Sequence, residues 1–206
     1  MTPGDPVPAV PPLVLASGSA GRLRLLRQAG LDPEVVVSGV DEAVGGGLDT
    51  AAVTGLLAGR KAAAVAARRP DALVLGCDSL LDLDGQALGK PASAAEAAAM
   101  WHRLAGRRAT LFTGHCLIGP GGDREARSVA ATAVRFGTPT GQELAAYLAS
   151  GEPLSAAGAF TIEGLGAPFI DGIDGDPGTV IGLSLPLLRR LLAGFGVAIT
   201  DLWRGR

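Results

Sequence analysis

Residues 73–91, LVLGCDSLLDLDGQALGKP, contain the motif around which the rest of the chain is organised. The apolar run Leu73–Leu75 is typical of a buried strand, and Asp78 follows where that strand is expected to end. A second apolar run leads to Asp84-Gly85, a dipeptide that favours a β-hairpin turn. The return arm ends in Gly89-Lys90-Pro91. The stretch therefore predicts a hairpin that carries Asp78 on its first arm and Lys90 at the end of its second.

Asp78 has two interpretations. Short acidic side chains often cap turns, and this role needs no ligand. Burying a charge without a partner is expensive, so a carboxylate in an apolar strand also suggests a bound group. In this second interpretation Asp78 and Lys90 face one polyanionic substrate that carries a metal ion. The stretch alone does not separate the two.

The use of lysine adds a second observation. The chain has 18 Lys and Arg residues, but only Lys61 and Lys90 are lysines, and asparagine is absent. Arginine therefore does nearly all the ordinary cationic work. A lysine that persists in such a chain is expected where a compact ammonium group is needed and a planar guanidinium is unsuitable. Chance placement of the two lysines is the alternative.

The composition limits the class of protein. The chain has 206 residues, 48% of them hydrophobic and 18% charged, which predicts a single compact domain with a substantial core. A net charge of −2 argues against a broad nucleic-acid surface, and no stretch is long and apolar enough for a membrane span. Two cysteines form no disulfide framework, which favours a reducing, cytoplasmic environment. Residues 1–12 form a Pro-rich lead that is predicted to be flexible and is not a signal peptide.

A candidate anion site follows the first predicted strand. Leu13–Ala16 leads into Ser17-Gly18-Ser19-Ala20-Gly21-Arg22, and an amphipathic helix then ends near Gly30. Free N–H groups and the helix dipole would point at one spot, to which Arg22 adds a charge. A plain N-cap by Ser17 or Ser19 is the alternative.

A second pair of carboxylates and the other lysine follow. Residues 34–40 alternate as a strand that ends in Asp41-Glu42, and a long helix is predicted from about Thr50 to Arg69. Lys61 interrupts the apolar stripe of that helix. A lysine can place its stem on an apolar face with no other role. We favour a functional ammonium group that reaches a pocket.

The rest of the chain predicts further regular elements. Helices are expected from Ser93, from Thr140 to Gly151 and from Ser184 to Gly194, and a β-hairpin from residues 109–118 and 126–136. His102 and His115 are interpreted as structural or solvent-facing. The glycine-rich segment 155–175 suggests backbone packed close to a ligand, with Glu163 as a polar contact, although an ordinary loop would have the same composition.

Taken together, these segments resemble the Maf family of nucleoside triphosphate pyrophosphatases. The resemblance covers about Leu13 to Gly196 and rests on seven blocks in the same order: LASGSAGRLRLL, VSGVDE, GRKA, LGCDSLLDLDGQALGKP, LAGRRATLFTGH, GEPLSAAGAFTIEGLG and VIGLSLP. It implies an α/β fold like that of inosine triphosphate pyrophosphatases, with an elongated, mixed, twisted sheet flanked by helices and two lobes around a cleft. Residues 13–206 would form one catalytic domain. It also implies a cytoplasmic, often dimeric enzyme that cleaves a nucleoside triphosphate to monophosphate and pyrophosphate with Mg²⁺ or Mn²⁺.

The resemblance also implies roles for individual residues. Asp78 matches the catalytic aspartate, Glu42 a metal-binding carboxylate that would act with Asp78, and Lys61 and Lys90 the two active-site lysines. Ser17, Ser19 and Arg22 match the phosphate-binding positions. Ser79 and Glu163 match positions that contact the base.

The chain departs from the family pattern at several positions. Gly21 stands where an arginine is usual, and Thr179 where an asparagine is usual. Ser79 and Glu163 replace the Thr and Gln of the branch selective for thymidine and uridine. Glu163 is closer to the branch selective for 7-methylguanosine, whose remaining specificity residues are absent. Two other functions stay open: a nucleotide-binding regulator of cell division, and a phosphatase that acts on simple phosphoesters.

Overall fold

The computed structural model describes residues 10–204. Residues 1–9, which make up most of the predicted lead, lie outside the described residues, as do residues 205–206. Within residues 10–204, no helix combines the length and the apolar character that crossing a membrane requires.

The centre of the molecule is a seven-stranded mixed sheet, which confirms the predicted α/β class. The strands are β1 (Leu13–Leu15), β2 (Glu34–Val35), β3 (Leu73–Leu83), β4 (Gln86–Leu88), β5 (Arg108–Ile118), β6 (Glu125–Phe136) and β7 (Ile170–Asp174). Their order is β2-β1-β3-β5-β6-β7, and β4 pairs with the outer half of β3. The strand β1 runs parallel to β2 and β3, and the remaining pairs are antiparallel.

Six helices flank this sheet: α1 (Ala20–Gln28), α2 (Thr50–Ala66), α3 (Ala94–Leu104), α4 (Gly141–Ala149), α5 (Pro177–Ile181) and α6 (Leu185–Gly194). Side-chain caps start four of them at serine or threonine residues that the sequence analysis places at or beside helix starts. Ser19 caps α1, Ser93 caps α3, Ser184 caps α6, and Thr140 forms a full capping box with Glu143 at the start of α4. Each cap satisfies backbone N–H groups that have no partner within the helix.

The hydrophobic core has three parts. On one face of the sheet, α1 and α6 pack against Leu15, Leu75 and Leu117. On the other face, α2 packs against Val74, Cys116 and neighbouring residues. The outer half of the sheet packs on α3 and α4 around the buried Trp101. The candidate site lies between the first two parts and the third, in the position of the predicted cleft.

Two glycines let the backbone of α2 lie directly on the sheet. A methyl group built on Gly76 of β3 would lie 2.3 Å from the carbonyl oxygen of Ala58. A methyl group on Gly114 of β5 would lie 2.2 Å from the carbonyl oxygen of Thr54. No side chain other than hydrogen fits at such distances, because the clash would be with backbone. This close approach brings Lys61 of α2 above β3.

The structure differs from the predicted elements in three places. Asp78 does not end a strand, because β3 continues to Leu83 and pairs with β5 from Val74 to Asp82. The strand predicted over residues 34–40 is limited to Glu34–Val35, since β2 pairs with β1 over only two residues. The segment 155–175 is not only a loop, because its end forms β7, which pairs with β6. In each place pairing with another strand decides the structure, and the local sequence does not show that pairing.

Candidate functional site

A cavity of about 1080 Å³ lies between α1, α2, the middle of β3 and the segment from residue 152 to 164. Eight of the nine predicted site residues line it: Ser19, Arg22, Glu42, Lys61, Asp78, Ser79, Lys90 and Glu163. Ser17 lies behind the wall, where its hydroxyl contacts Arg22. Residues from distant parts of the chain therefore converge on one cavity that is large enough for a nucleotide-sized ligand.

Lys61, Asp78 and Glu42 form a connected charged cluster. The ammonium group Nζ of Lys61 lies 2.5 Å from Oδ1 of Asp78 and 2.7 Å from Oε1 of Glu42. Lys61 and Asp78 are buried, whereas the side chain of Glu42 is exposed. Burial raises the pKa of the Asp78 carboxyl, and the charge of Lys61 acts against that rise. Asp78 is therefore a buried carboxylate held in place by a single strong partner.

Arg22 is fixed by three neutral groups. Its guanidinium donates to the hydroxyl of Ser17 at 2.9 Å, to the hydroxyl of Ser79 at 3.0 Å, and to the carbonyl oxygen of Gly182 at 2.8 Å. Because none of these partners is charged, the positive charge of this buried arginine is not neutralised by them. Arg22 is thus oriented and available to an anion in the cavity.

The two serines before α1 have different roles. Ser19 is the N-cap, and its hydroxyl accepts from the backbone N–H of Arg22. Ser17 accepts from the backbone N–H of Ser19 at 3.2 Å as well as from the Arg22 side chain. The N-terminal end of α1, with Ala20 and Gly21, lines the cavity. The plain N-cap is therefore present at Ser19. Because the N-terminus of α1 also lines the cavity, this cap is compatible with the anion site, which stays a prediction.

Lys90 lies on the opposite wall. It is exposed, and within residues 10–204 its ammonium group has no hydrogen bond or ion pair. The preceding residue, Gly89, accepts a backbone hydrogen bond from Gly158 at 2.9 Å. Lys90 is therefore free to meet an anion, and its backbone is tied to the segment that carries Glu163.

Glu163 is not a free carboxylate. It forms an ion pair with Arg24, which lies on α1 across the cavity and also lines it. Arg24 is not among the residues predicted from the sequence. In the sequence, Arg24 is distinguished only as a second positive charge two residues after Arg22. Because residues two apart on a helix point to different faces, this spacing does not predict that both line one cavity.

A second residue that the sequence analysis did not find is Glu152. It lines the cavity, and its carboxylate accepts hydrogen bonds from Thr161, Leu165 and Gly166. Residues 161–166, here called the glycine-rich loop, therefore fold around a protein carboxylate. Gly164 and Gly166 belong to the segment 155–175, for which the sequence suggests either backbone close to a ligand or an ordinary loop. Their close neighbours in the structure are Glu152 and Tyr147.

The donors present suit a hard divalent cation. Within residues 10–204, no group of three or more His, Cys, Asp and Glu side chains is arranged to hold a metal ion. The oxygens of Glu42 and Asp78 nevertheless converge, since both contact the same ammonium group. Mg²⁺ is commonly held by one or two carboxylates together with substrate phosphates. This pair meets that requirement.

Several known proteins share most of this sequence. A nucleoside triphosphate pyrophosphatase of Streptomyces coelicolor is 62% identical over 194 residues, which cover 93% of this chain and 94% of that protein. The protein of the same name from Streptomyces avermitilis is 59% identical over 197 residues, 94% of this chain and 95% of the relative. Another, from Mycobacterium sp. (strain JLS), is 52% identical over 205 residues, 93% of this chain and 97% of the relative. Residues 12–195 match the profile of the Maf-like protein family. The chain therefore belongs to the Maf-like protein family.

Proposed function

We propose that this protein is a nucleoside triphosphate pyrophosphatase, which hydrolyses a nucleoside triphosphate to the monophosphate and pyrophosphate. The observation that carries the proposal is the buried contact between Lys61 and Asp78, at 2.5 Å, on the wall of the cavity. The names of the three relatives support it. A buried ion pair is costly to desolvate, so its presence beside a cavity favours a catalytic role over a stabilising one.

The charges on the cavity wall fit a triphosphate. Arg22, Lys61 and Lys90 supply three positive charges, and the N-terminus of α1 adds partial charge from the same side as Arg22. Arg22 is held by its hydrogen bonds, which suits a phosphate that stays in place. Lys90 has an exposed side chain that can follow the leaving group. We assign Ser19 and Arg22 to the phosphate site, and Ser17 to the orientation of Arg22.

Asp78 is the proposed general base. A water molecule attacks the α-phosphorus, and its proton passes to the carboxylate of Asp78. The bond between the α-phosphorus and the bridging oxygen breaks, and pyrophosphate leaves with the electron pair. Lys61 holds Asp78 in position, while Arg22 and Lys90 stabilise the charge that develops on the phosphate oxygens. Such a reaction depends mostly on positioning and charge neutralisation, which these residues provide.

A divalent cation, Mg²⁺ or Mn²⁺, is the proposed cofactor, and Glu42 and Asp78 are its proposed ligands. When bound, it would supply further neutralisation of the phosphate charge. The exposed Glu42 can turn away without leaving the buried ammonium group of Lys61 unpaired, because Lys61 keeps its ion pair with Asp78.

Ser79 and Glu163, which both line the cavity, are proposed to contact the base. Both side chains are already engaged, Ser79 with Arg22 and Thr113, and Glu163 with Arg24. Base selectivity would therefore depend on these partners as well as on the two residues themselves.

We also propose that the protein works in the cytoplasm, because Cys77 and Cys116 are buried free thiols. The net charge of −2 argues against nucleic acid as a partner. The homodimer that the resemblance implies remains a prediction, which analytical ultracentrifugation can test.

Product analysis tests the proposed function. The protein is incubated with a panel of nucleoside triphosphates and Mg²⁺ or Mn²⁺, and the products are separated by ion-exchange chromatography. Monophosphate and pyrophosphate in equal amounts support the proposal. Orthophosphate would indicate a simple phosphatase. Saturable binding without turnover would indicate a regulator that senses nucleotides.

A further inference from the structure

Glu152 lies between the end of α4 and the cavity, at a position that the proposed mechanism does not use. Its Oε1 atom accepts from the hydroxyl of Thr161 at 2.6 Å and from the backbone N–H of Gly166 at 3.0 Å. Its Oε2 atom accepts from the backbone N–H of Leu165 at 2.9 Å. One carboxylate therefore binds three donors that belong to both ends of the glycine-rich loop.

The loop is shaped to fit this carboxylate. A methyl group built on Gly164 would lie 2.3 Å from Oε2 of Glu152. A methyl group on Gly166 would lie 2.5 Å from the hydroxyl of Tyr147 and 2.9 Å from the carbonyl oxygen of Thr161. Neither glycine has a positive φ, so close approach is the reason for glycine here and backbone conformation is not. The loop is thus wrapped around Glu152 and packed on Tyr147.

The same loop presents its other side to the cavity. Thr161, Ile162, Glu163 and Gly164 all line the cavity, next to Glu152 itself. Both oxygens of Glu152 are used by the loop, which leaves this carboxylate poorly suited to bind a ligand directly. Its effect on a ligand must pass through the position of the loop.

Burial acts to raise the pKa of the Glu152 carboxyl, but the hydrogen bonds from Thr161, Leu165 and Gly166 outweigh it and lower the pKa. Glu152 is therefore an anion at neutral pH. An ionised carboxylate makes stronger hydrogen bonds to N–H groups than a neutral acceptor does.

We propose that Glu152 is a positioning residue: its carboxylate holds the glycine-rich loop in one conformation and thereby sets which bases the enzyme accepts. The inference has two parts. The first, that Glu152 holds the loop, does not depend on the proposed function. The second, that the loop sets the choice of base, rests on the proposed function.

Amide hydrogen exchange on the intact protein, followed by NMR, tests the first half. Glu152→Gln keeps the size of the side chain but replaces one acceptor oxygen by an NH₂ donor, so it cannot accept from all three groups. We expect the amides of Leu165 and Gly166 to exchange at least tenfold faster in this variant. Glu143→Gln, which changes a carboxylate in the capping box of α4 away from the cavity, should leave both amides unchanged.

Steady-state kinetics with the nucleotide panel tests the second half. In Glu152→Gln we expect KM for the preferred nucleotide to rise about tenfold while kcat changes less than threefold. The ratio of kcat/KM between the best and the worst base should fall towards 1, because a mobile loop no longer discriminates. Glu143→Gln should keep the wild-type KM and ranking.

For Glu152→Gln, either of two results would overturn the inference. Unchanged exchange at Leu165 and Gly166 would show that Glu152 does not hold the loop. Faster exchange with unchanged KM and ranking would show that the loop does not select the base. If the wild type has no turnover, the proposed function fails. In that case amide hydrogen exchange and the affinity for a non-hydrolysable triphosphate still test the role of Glu152.

A second variant guards against misfolding of Glu152→Gln. Thr161→Val removes one donor and leaves the carboxylate in place. We expect exchange at Leu165 and Gly166 to rise about threefold and KM to rise by a similar factor. No change in either quantity would also overturn the inference.

Discussion

Arg24 and Glu163 form an ion pair across the candidate active site, although 139 residues separate them in the chain. The pair joins α1, which carries the phosphate-site residue Arg22, to the glycine-rich loop. Side-chain exposures of 48% and 32% indicate that it contributes little to stability, on the order of 0.2–1 kcal/mol. Its importance is that it restricts what Glu163 can offer to a base.

The first prediction concerns base selectivity. Only Oε2 of Glu163 contacts Arg24, which leaves Oε1 to accept hydrogen bonds. Guanine presents two adjacent N–H donors, whereas uracil and thymine present carbonyl oxygens that an ionised carboxylate disfavours. We expect wild type to have a higher kcat/KM for guanine-type triphosphates than for UTP or TTP, and Glu163→Gln to reduce that preference. Arg24→Ala breaks the same ion pair, keeps the carboxylate and frees its second oxygen, so it should strengthen the preference for guanine-type triphosphates. A wild-type preference for UTP or TTP that Glu163→Gln leaves unaltered would show that Glu163 does not contact the base.

The second prediction concerns Asp78. Asp78→Asn keeps the size of the side chain but cannot accept the proton of the attacking water. We expect kcat to fall roughly 10²–10⁴-fold, with nucleotide affinity nearly unchanged. Asp82→Asn is the matched control, because Asp82 lies on the same strand and binds Thr50 and the backbone of Gly85 outside the cavity. Single-turnover kinetics separates chemistry from binding. Most of the wild-type turnover surviving in Asp78→Asn would refute its role as base.

The third prediction concerns Lys61. Its side chain is buried, and its ammonium group contacts two carboxylates within 2.7 Å. A guanidinium is larger and planar, so Lys61→Arg would displace Asp78 or α2 despite the same charge. We expect kcat to fall at least tenfold and the free energy of unfolding to fall by about 1–3 kcal/mol, the usual cost of overpacking. Lys90→Arg should have a smaller effect, because Lys90 is exposed. Normal kinetics in Lys61→Arg would show that a general cation suffices at that position.

The fourth prediction concerns the contact between α2 and the sheet. Gly76→Ala places a methyl group 2.3 Å from a backbone oxygen of α2, which only a shift of the helix can relieve. We expect a loss of about 3 kcal/mol in the free energy of unfolding, together with reduced kcat because Lys61 moves away from Asp78. Gly141→Ala has open space around it and should be neutral or slightly stabilising. Urea denaturation of the two variants measures the difference. Equal stability would mean that α2 adjusts without strain.

The fifth prediction concerns pH and His115. This histidine is buried; its Nε2 accepts from the backbone N–H of Ser184, and its Nδ1 lies 3.0 Å from the carbonyl oxygen of Thr113. Its pKa is lowered from 6.5 to about 4, mainly by burial. The Arg22 charge contributes to this shift, while the bond to Thr113 and the Asp176 charge oppose it.

The neutral form is favoured in the folded state, so the stability that His115 contributes is complete above pH 6.5 and is lost as the pH falls towards 4. The loss over that range is about 3 kcal/mol. His115→Gln should be less stable at pH 7 and should lack this part of the pH dependence. His102→Gln, at an exposed histidine of α3, should keep it. Thermal unfolding between pH 4 and 7.5 gives the comparison, and parallel curves for wild type and His115→Gln would contradict the prediction.

The sequence predicts the fold best where the signals are local. The caps at Ser93, Thr140 and Ser184 and the apolar stripes behind them determine α3, α4 and α6 within a few residues. The sequence does not predict that β3 continues through Asp78, because a carboxylate after an apolar run is typical of the end of a strand. It depends on pairing with β5, some 35 residues away, and on α2 covering one face.

The same distinction applies to the site. Asp78, Lys61 and Lys90 could be selected because a charge in an apolar strand, a lysine in an apolar stripe and the scarcity of lysine are each visible in the sequence. Arg24 is one of many arginines and Glu152 one of several loop carboxylates. The role of Arg24 follows from its contact with Glu163, 139 positions away in the chain. The role of Glu152 follows from its contacts with residues 9 to 14 positions away. The sequence alone does not show either set of contacts.

The backbone hydrogen bond from Gly158 to Gly89 has a consequence for how the cleft can move. It fastens the residue before Lys90 to the segment that leads into the glycine-rich loop, at 2.9 Å. Two parts of the cavity wall are therefore joined through backbone atoms, whatever direction the exposed Lys90 side chain takes. A substitution that shifts the backbone at Gly89 is expected to shift Gly158 as well, and with it the start of the segment that reaches Glu163.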